Sequence, residues 1–272
     1  MTVRGRECGV ALLNVLVVLA IGAGLIQGML QAQETAISRA SRAADWSQAG
    51  ALAFGGVTSV RTGLRRDMAQ FPQTDHLGEP WAQAAQAPVE FAFGSYGITI
   101  TDVQGRFNLN ALGPRSLAER RVFTALLAGL DLPPELGERI RAIVARQGPL
   151  TSLATLRRDG IDAGTLTKLA PFVAALPEGV QINLNTAPEP VLAAVFANAA
   201  AAKGLVARRD RQGFLTRADL TALGLVQPVL AGWRSDIYDV TVTARVGPVT
   251  RVVRRRIFRH RKSETVTDVP LE

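Results

Sequence analysis

The chain has one cysteine and two histidines in 272 residues. A lone cysteine excludes an intramolecular disulfide and a cysteine-built metal site. His76 falls in a proline-rich stretch and His260 in a basic tail, and neither is close in sequence to a nucleophile. Gly-x-Ser-x-Gly, a Walker loop, His-Glu-x-x-His and paired cysteines are all missing, so no catalytic residue and no cofactor is assigned. Asp102 and Trp81 are accounted for by a turn and by packing.

The most telling absence is one of charge. From Cys8 to Gln33 the only ionisable group is the Cys8 thiol, and Arg4, Arg6 and Glu7 precede it. Val10 to Leu30 is 21 residues, which as a helix spans roughly 30 Å, the thickness of a hydrocarbon core. A secretory signal has a shorter apolar region, of about 7 to 15 residues, closed by a small-x-small cleavage site. Here the run passes without a turn signal into Gln31-Ala32-Gln33-Glu34-Thr35, which predicts one long helix continuing to about residue 70. Trp46, Ala49, Ala53, Val57, Val60 and Leu64 recur at helical spacing and form its packing stripe, while Gly50, Gly55 and Gly56 are expected to interrupt it. Arg4 and Arg6 hold the N-terminus in the cytoplasm and send the rest across; Arg39 and Arg42 reduce that asymmetry.

After the anchor, 47% hydrophobic composition leaves enough apolar surface for a core. The net charge of +8 is almost entirely arginine and is compatible with an anionic partner or with a plain basic surface. Phe71 to Pro88 reads as a connecting loop. Val89 to Phe93, a turn at Gly94-Ser95, Tyr96 to Val103 and Arg106 to Asn110 read as an antiparallel meander. Ile237 to Val246, a turn at Gly247-Pro248 and Val249 to Phe258 form a second β region. The arginines of that last strand read as a hydrated face. Between the two regions the chain is rich in Ala, Leu and Arg at helical spacing. The expected fold is therefore α+β: a long N-terminal helix packed on an antiparallel sheet, with an inserted all-α subdomain. The expected divisions are a leader 1–9, a transmembrane helix 10–31, its continuation 32–70, a β region 71–110, a helical insert 111–235 with a returning strand near 181–185, a hairpin 236–262 and a flexible tail 263–272.

The insert contains a repeat. Asn108-Leu109-Asn110-Ala111 recurs as Asn183-Leu184-Asn185-Thr186-Ala187, and each copy is followed by an apolar helix, a Val-Ala-Arg, a Gly and a Leu-Thr. Thr186 and Glu189 are expected to form a capping box with Pro188 in the first turn. Asn108, Asn110, Asn183 and Asn185 are expected to tie strand ends to helix starts through backbone hydrogen bonds.

The short basic leader, Gly9 and the uncharged helix together resemble the class III signal of type IV pilins and pseudopilins. That resemblance implies cutting by a prepilin peptidase between Gly9 and Val10 and N-methylation of Val10. The family pattern has Glu at the fifth mature position, where this chain has Asn14, a departure characteristic of the K-type minor pseudopilins of type II secretion. Phe107 to Leu112 and Ile182 to Pro188 resemble that family's Asn-Leu-Asn-Ala-Leu and Ile-Asn-Leu-Asn-Thr-Ala-Pro segments. The resemblance implies a single-pass inner-membrane protein with most of its mass in the periplasm. It would sit at the tip of the pseudopilus, start its assembly and support export across the outer membrane. Its partners would be the I- and J-type minor pseudopilins, the inner-membrane platform, the prepilin peptidase and the secreted cargo. The family commonly binds calcium through an acidic stretch in its helical insert. Between Leu130 and Leu169 this chain has only Asp131, Glu135, Glu138, Asp159 and Asp162, so no metal ligands are carried over.

A rival reading is a membrane-anchored helix-hairpin-helix DNA-binding protein, drawn from the segment ending Gly213-Phe214-Leu215-Thr216 and from Arg208, Arg209 and Arg211. Its phosphate-binding hairpin would fall at Ala199 to Gly204, which has a single glycine and offers no nest of backbone amides. Nucleic acid is therefore not expected as a partner.

Overall fold

A run of apolar, Ala, Gln and Arg residues without proline folds as one helix. In the computed structural model, which describes residues 4–83, 88–113 and 116–271, α1 (Arg4–Gln70) is a helix of 67 residues, roughly 100 Å long. Its large apolar side chains from Leu12 to Leu30 are exposed, as is Ile37. Farther along, Ala49, Ala53, Val57, Val60, Leu64 and Met68 are buried. Trp46 is not: it lies at the rim of the sheet, with the Arg251 guanidinium 5.0 Å from its ring centroid. The expected interruption at Gly50, Gly55 and Gly56 does not occur. Gly50 and Gly56 sit where α1 crosses the sheet closely, and a Cβ on Gly56 would lie 2.7 Å from Val242. Close packing here outweighs the weak helix propensity of glycine.

The connection after α1 carries α2 (Pro80–Gln83), which buries Trp81 edge-on to Tyr238. A five-stranded antiparallel sheet follows, formed by β1 (Val89–Phe91), β2 (Gly94–Asp102) and three strands from the far end of the chain. The first reversal falls at Ala92-Phe93, not at Gly94-Ser95, so that Phe91 pairs with Gly94. The expected third strand of the meander does not join this sheet. After a short 3-10 turn at Val103–Gly105, β3 (Phe107–Asn108) pairs in parallel with β4 (Val173–Ala174) inside the insert. β5 (Ile182–Asn183) likewise pairs in parallel with β6 (Ala231–Gly232), so the strand near 181–185 stays within the insert. β2 pairs instead with β7 (Ile237–Val246), then come β8 (Val249–His260) and β9 (Thr265–Pro270). β9 occupies the segment expected as a tail: its alternating Thr265, Val266, Thr267 completes the sheet edge and buries Val266. The sheet face toward α1 carries Ile98, Ile100, Tyr238, Val240, Val242 and Ile257, which form one core with Val57, Val60 and Leu64.

The insert has its own core and two similar modules. The first contains α3 (Leu117–Gly129), α4 (Glu135–Gln147), α5 (Ala154–Arg158) and α6 (Ala163–Leu169) between β3 and β4. The second contains α7 (Glu189–Phe196), α8 (Ala199–Gln212) and α9 (Arg217–Ala222) between β5 and β6. The hairpins match as well: Asp131 ends the α3 side with φ 53°, Ala197 ends α7 with φ 48°, and Gly148 and Gly213 close α4 and α8 with φ of 82° and 91°. Phe107 stacks on Phe123 with ring centroids 5.1 Å apart, at the centre of a core shared by both modules.

Candidate functional site at the junction of helix, sheet and insert

Each module is closed by the same pair of asparagines. Asn108 Oδ1 accepts the Asn110 amide at 3.1 Å, and Asn183 Oδ1 accepts the Asn185 amide at 3.0 Å. The second asparagine of each pair reaches across its module. Asn110 Oδ1 accepts the Leu150 amide at 2.7 Å, and Asn185 Oδ1 accepts the Leu215 amide at 2.6 Å. All four side chains are buried, and an amide group suits the position because it offers a donor and an acceptor together. Asn110 Nδ2 also donates to the carbonyls of Leu150 and Leu176, and Asn108 Nδ2 to Pro177. These side chains therefore tie distant loops of the module together and not only the adjacent helix start.

The second motif also joins the insert to the pilin-like body. Asn183 Nδ2 lies within hydrogen-bonding distance of the Asp75 carbonyl (2.9 Å), Ser235 Oγ (2.8 Å) and Asp102 Oδ2 (3.1 Å). Asp102 ends β2. Its Oδ1 accepts the Gln104 amide and caps the 3-10 turn, while its Oδ2 accepts from the hydroxyls of Thr186 and Ser235. Burial pushes its carboxyl above the usual carboxylate range, against the pull of those hydrogen bonds. Gln104 adds a parallel tie, donating to the Gln181 carbonyl at 3.1 Å and accepting the Asp236 amide at 2.6 Å.

Thr186 and Glu189 thus depart from expectation. α7 begins at Glu189 with Pro188 at the N-cap and has no side-chain cap: Thr186 lies two residues before the cap position, its hydroxyl donates to Asp102 Oδ2, and Glu189 is exposed in the first turn. A capping box is present two helices later, at α9, where Thr216 and Asp219 bond reciprocally. The pattern Thr216-Arg-Ala-Asp219 was its signal in the sequence.

Beneath this seam lies a group of buried charges that sequence reading missed. Asp67 at the end of α1, Asp75 in the connecting loop and Glu79 bring carboxylate oxygens within 4.8 Å of one another. Arg259 of β8 supplies counter-charge: Nη2 is 2.7 Å from Asp67 Oδ2, Nη1 bonds Asp75 Oδ1, and the guanidinium lies 4.7 Å from the Tyr238 ring centroid. Arg261 adds a second cation, with Nη2 2.7 Å from Asp75 Oδ2 and Nε 2.6 Å from Asp236. Asp75 also accepts the Ser235 amide at 2.7 Å, which locks the end of the insert to the loop that follows α1. Glu79 Oε2 accepts the Trp81 indole N–H at 2.6 Å and His76 Nε2 lies 3.6 Å from Oε1; burial and the neighbouring Asp67 and Asp75 push the Glu79 pKa to about 8 despite the Trp81 bond. With two arginines against the carboxylates and Glu79 protonated below that pH, the group is a structural ion-pair network, and Asp67 Oδ1, Glu79 Oε1 and Arg259 Nε are left without a hydrogen-bond partner among the described residues. His76 stacks on Phe214 of the insert with centroids 4.9 Å apart, and burial lowers its pKa.

Asn14 lies on the exposed apolar part of α1. Gly9 and Val10 fall within α1, but their side chains, like residues 1–3 of the leader, lie outside the described residues. The acids of the first module are largely engaged: Asp159 pairs with Arg146, Asp162 caps α6 through the Thr165 amide, and Glu138 pairs with Arg141. Most features of the nucleic-acid reading are engaged as well, Arg211 being exposed at the end of α8. Ala199 to Gly204 lies inside α8, and the true hairpin is Ala197-Asn198, whose Asn198 Oδ1 accepts the Ala201 amide at 2.9 Å. Arg208 pairs with Asp219, and Arg209 donates to the carbonyl of Ala187 at 2.7 Å.

The family model for Type II secretion system (T2SS), protein K matches residues 182–240, which span the second motif and the start of β7. The type II secretion system protein K of Pseudomonas aeruginosa is 31% identical over 80% of this chain and 77% of its own. The protein of the same name from Klebsiella pneumoniae is 30% identical over 66% of this chain and 67% of its own. Among solved structures, the fold is similar to a chain of the GspK-GspI-GspJ complex of the enterotoxigenic Escherichia coli type 2 secretion system. That match has a TM-score of 0.65 at 20% identity and covers 86% of this chain and 99% of that one. A long N-terminal helix apolar enough to cross a membrane, packed on an antiparallel sheet, a two-module helical insert and identity of this extent to curated relatives lead to one conclusion: the chain belongs to the type II secretion system protein K family, the K-type minor pseudopilins.

Proposed function

We propose that this protein is the minor pseudopilin at the tip of the pseudopilus, anchored in the bacterial inner membrane with its sheet and insert in the periplasm. In this reading a prepilin peptidase cuts between Gly9 and Val10 and Val10 is N-methylated. The released helix then bundles with those of the I- and J-type minor pseudopilins to start assembly on the inner-membrane platform. The observation that carries it is the state of α1: its apolar surface from Leu12 to Ile37 is exposed and has no partner among the described residues. Those 26 positions amount to roughly 40 Å of helix, more than a bilayer core of about 30 Å covers. Like the span itself, the remainder calls for neighbouring helices. Partnership with I- and J-type subunits is carried over from the complex in which the structural relative was solved.

The insert supports the tip position by its attachment. It is locked through Asp75 and Ser235 to the loop that follows α1, at the end farthest from the apolar run, where it caps the body against another subunit above it. Asn14 supports it too, since an uncharged amide has no charge with which to neutralise a neighbour's terminal amine in lipid. The mechanism is physical: anchoring, capping and supporting export of cargo, with no catalytic residue or cofactor involved.

Mass spectrometry of the protein matured in its own cells tests this directly. The expected N-terminus is methylated Val10, and Gly9→Leu is expected to abolish processing. A protein retaining Met1, or processed equally well with Leu at position 9, overturns the reading.

A further inference from the structure

A cleft of about 660 Å³ opens at the membrane-distal end of α1, between its last turns, the Pro72-Gln73 connection, Arg234 of the insert and the β8–β9 turn. Four guanidiniums line it, those of Arg65, Arg66, Arg234 and Arg261, against one carboxylate, Glu264. Arg261 is already held by Asp75 and Asp236. The guanidiniums of Arg65, Arg66 and Arg234 are exposed and have no ion-pair or hydrogen-bond partner among the described residues. Their neighbours contrast with them: Arg61 pairs with Asp268 at 3.2 Å and Arg259 with Asp67 at 2.7 Å. The dipole of α1 favours cations in its last turn, which has no basic residue, and so does not explain Arg65 and Arg66. Nor does it account for Arg234, which comes from another element and turns the same concavity positive.

We propose that this cleft docks an acidic segment of another protein, its Asp or Glu carboxylates forked by Arg65, Arg66 and Arg234. Guanidiniums suit the task because their paired N–H groups match a carboxylate in bidentate geometry. Lipid headgroups are out of reach: Arg65 lies 35 residues beyond Leu30, roughly 50 Å along the helix. The choice of a protein over a nucleic acid rests on the periplasmic location proposed above.

The test uses the full chain in detergent micelles and a fluorescein-labelled hexaglutamate peptide, read by anisotropy at about 50 mM salt, where charges are weakly screened. Saturable binding is expected, weakened at least tenfold by Arg65→Glu/Arg66→Glu/Arg234→Glu and at least threefold by the milder triple change to Gln. Arg211→Glu/Arg245→Glu/Arg254→Glu makes the same charge change at exposed sites outside the cleft and is expected to shift affinity less than twofold. No binding by the unaltered protein, or equal loss in the cleft and control variants, overturns the proposal. Tighter binding of a labelled oligothymidylate than of the peptide overturns the choice of partner. Because the measurement does not depend on processing at Val10, its failure is distinct from failure of the tip reading.

Discussion

Arg259 and Asp67 form an ion pair closed to solvent, with Nη2 2.7 Å from Oδ2 and side chains 0% and 4% exposed. The same guanidinium bonds Asp75, so one side chain from the end of β8 holds the end of α1 and the loop that follows it. Arg259→Met removes the cation and leaves two buried carboxylates without it, at a cost of about 3–5 kcal/mol. A thermal or denaturant melt of the full chain reads this. Adding Asp67→Asn and Asp75→Asn is expected to recover part of the loss; no recovery would mean that the pair contributes packing only.

Glu79 carries a pH dependence of definite sign. Its folded pKa of about 8 lies above the usual carboxyl value of 4.5, so the native state holds a proton that the unfolded chain releases. Its contribution is fully present below pH 4.5 and is lost as pH rises through about 8. Glu79→Gln keeps an acceptor for the Trp81 indole and removes the titration. The variant is expected to gain stability relative to the parent between pH 5 and pH 8. Parallel melting curves for the two proteins across that range would contradict the assignment.

The asparagine pairs make equivalent predictions in both modules. Asn185→Ala strips the buried Leu215 amide of its acceptor, and Asn110→Ala does the same to Leu150. Each is expected to destabilise by about 1–3 kcal/mol. If Asn185→Ala melts like the parent while Asn110→Ala does not, the two modules are not energetically alike.

Two neighbouring glycines of α1 are expected to respond in opposite directions. A Cβ on Gly55 meets nothing within 4 Å, whereas one on Gly56 falls 2.7 Å from Val242. Gly55→Ala is expected to stabilise by up to about 1 kcal/mol through helix propensity. Gly56→Ala is expected to cost about 1–3 kcal/mol by overpacking the helix–sheet contact. Equal effects in denaturant titrations would rule out the close approach.

The long apolar helix, the strand alternation and the helical insert are legible in the sequence because each is a periodic or compositional signal within a short window. The junction is not. Its ion pairs join residues 192 and 184 positions apart, and nothing near Asp67 or Asp75 points to Arg259. The arginines of the last strand read as a hydrated face, yet Arg259 and Ile257 alternate inward while Arg254 stays outside. Thr186 fails as a helix cap because α7 starts three residues later, at Glu189, and the acceptor of its hydroxyl, Asp102, arrives from 84 positions away. β9 was missed because a polar Thr-Val-Thr-Asp run looks like a tail until a partner edge is present to pair it.

β2 and β7 are hydrogen-bonded neighbours although the whole insert lies between them in the chain. An excursion that leaves and re-enters through adjacent strands can grow or shrink without moving the register on either side. During synthesis the same arrangement delays closure. The half-sheet made by β1 and β2 waits for more than a hundred further residues to emerge before its central partner exists, so the last third of the polypeptide governs when the platform for α1 is complete.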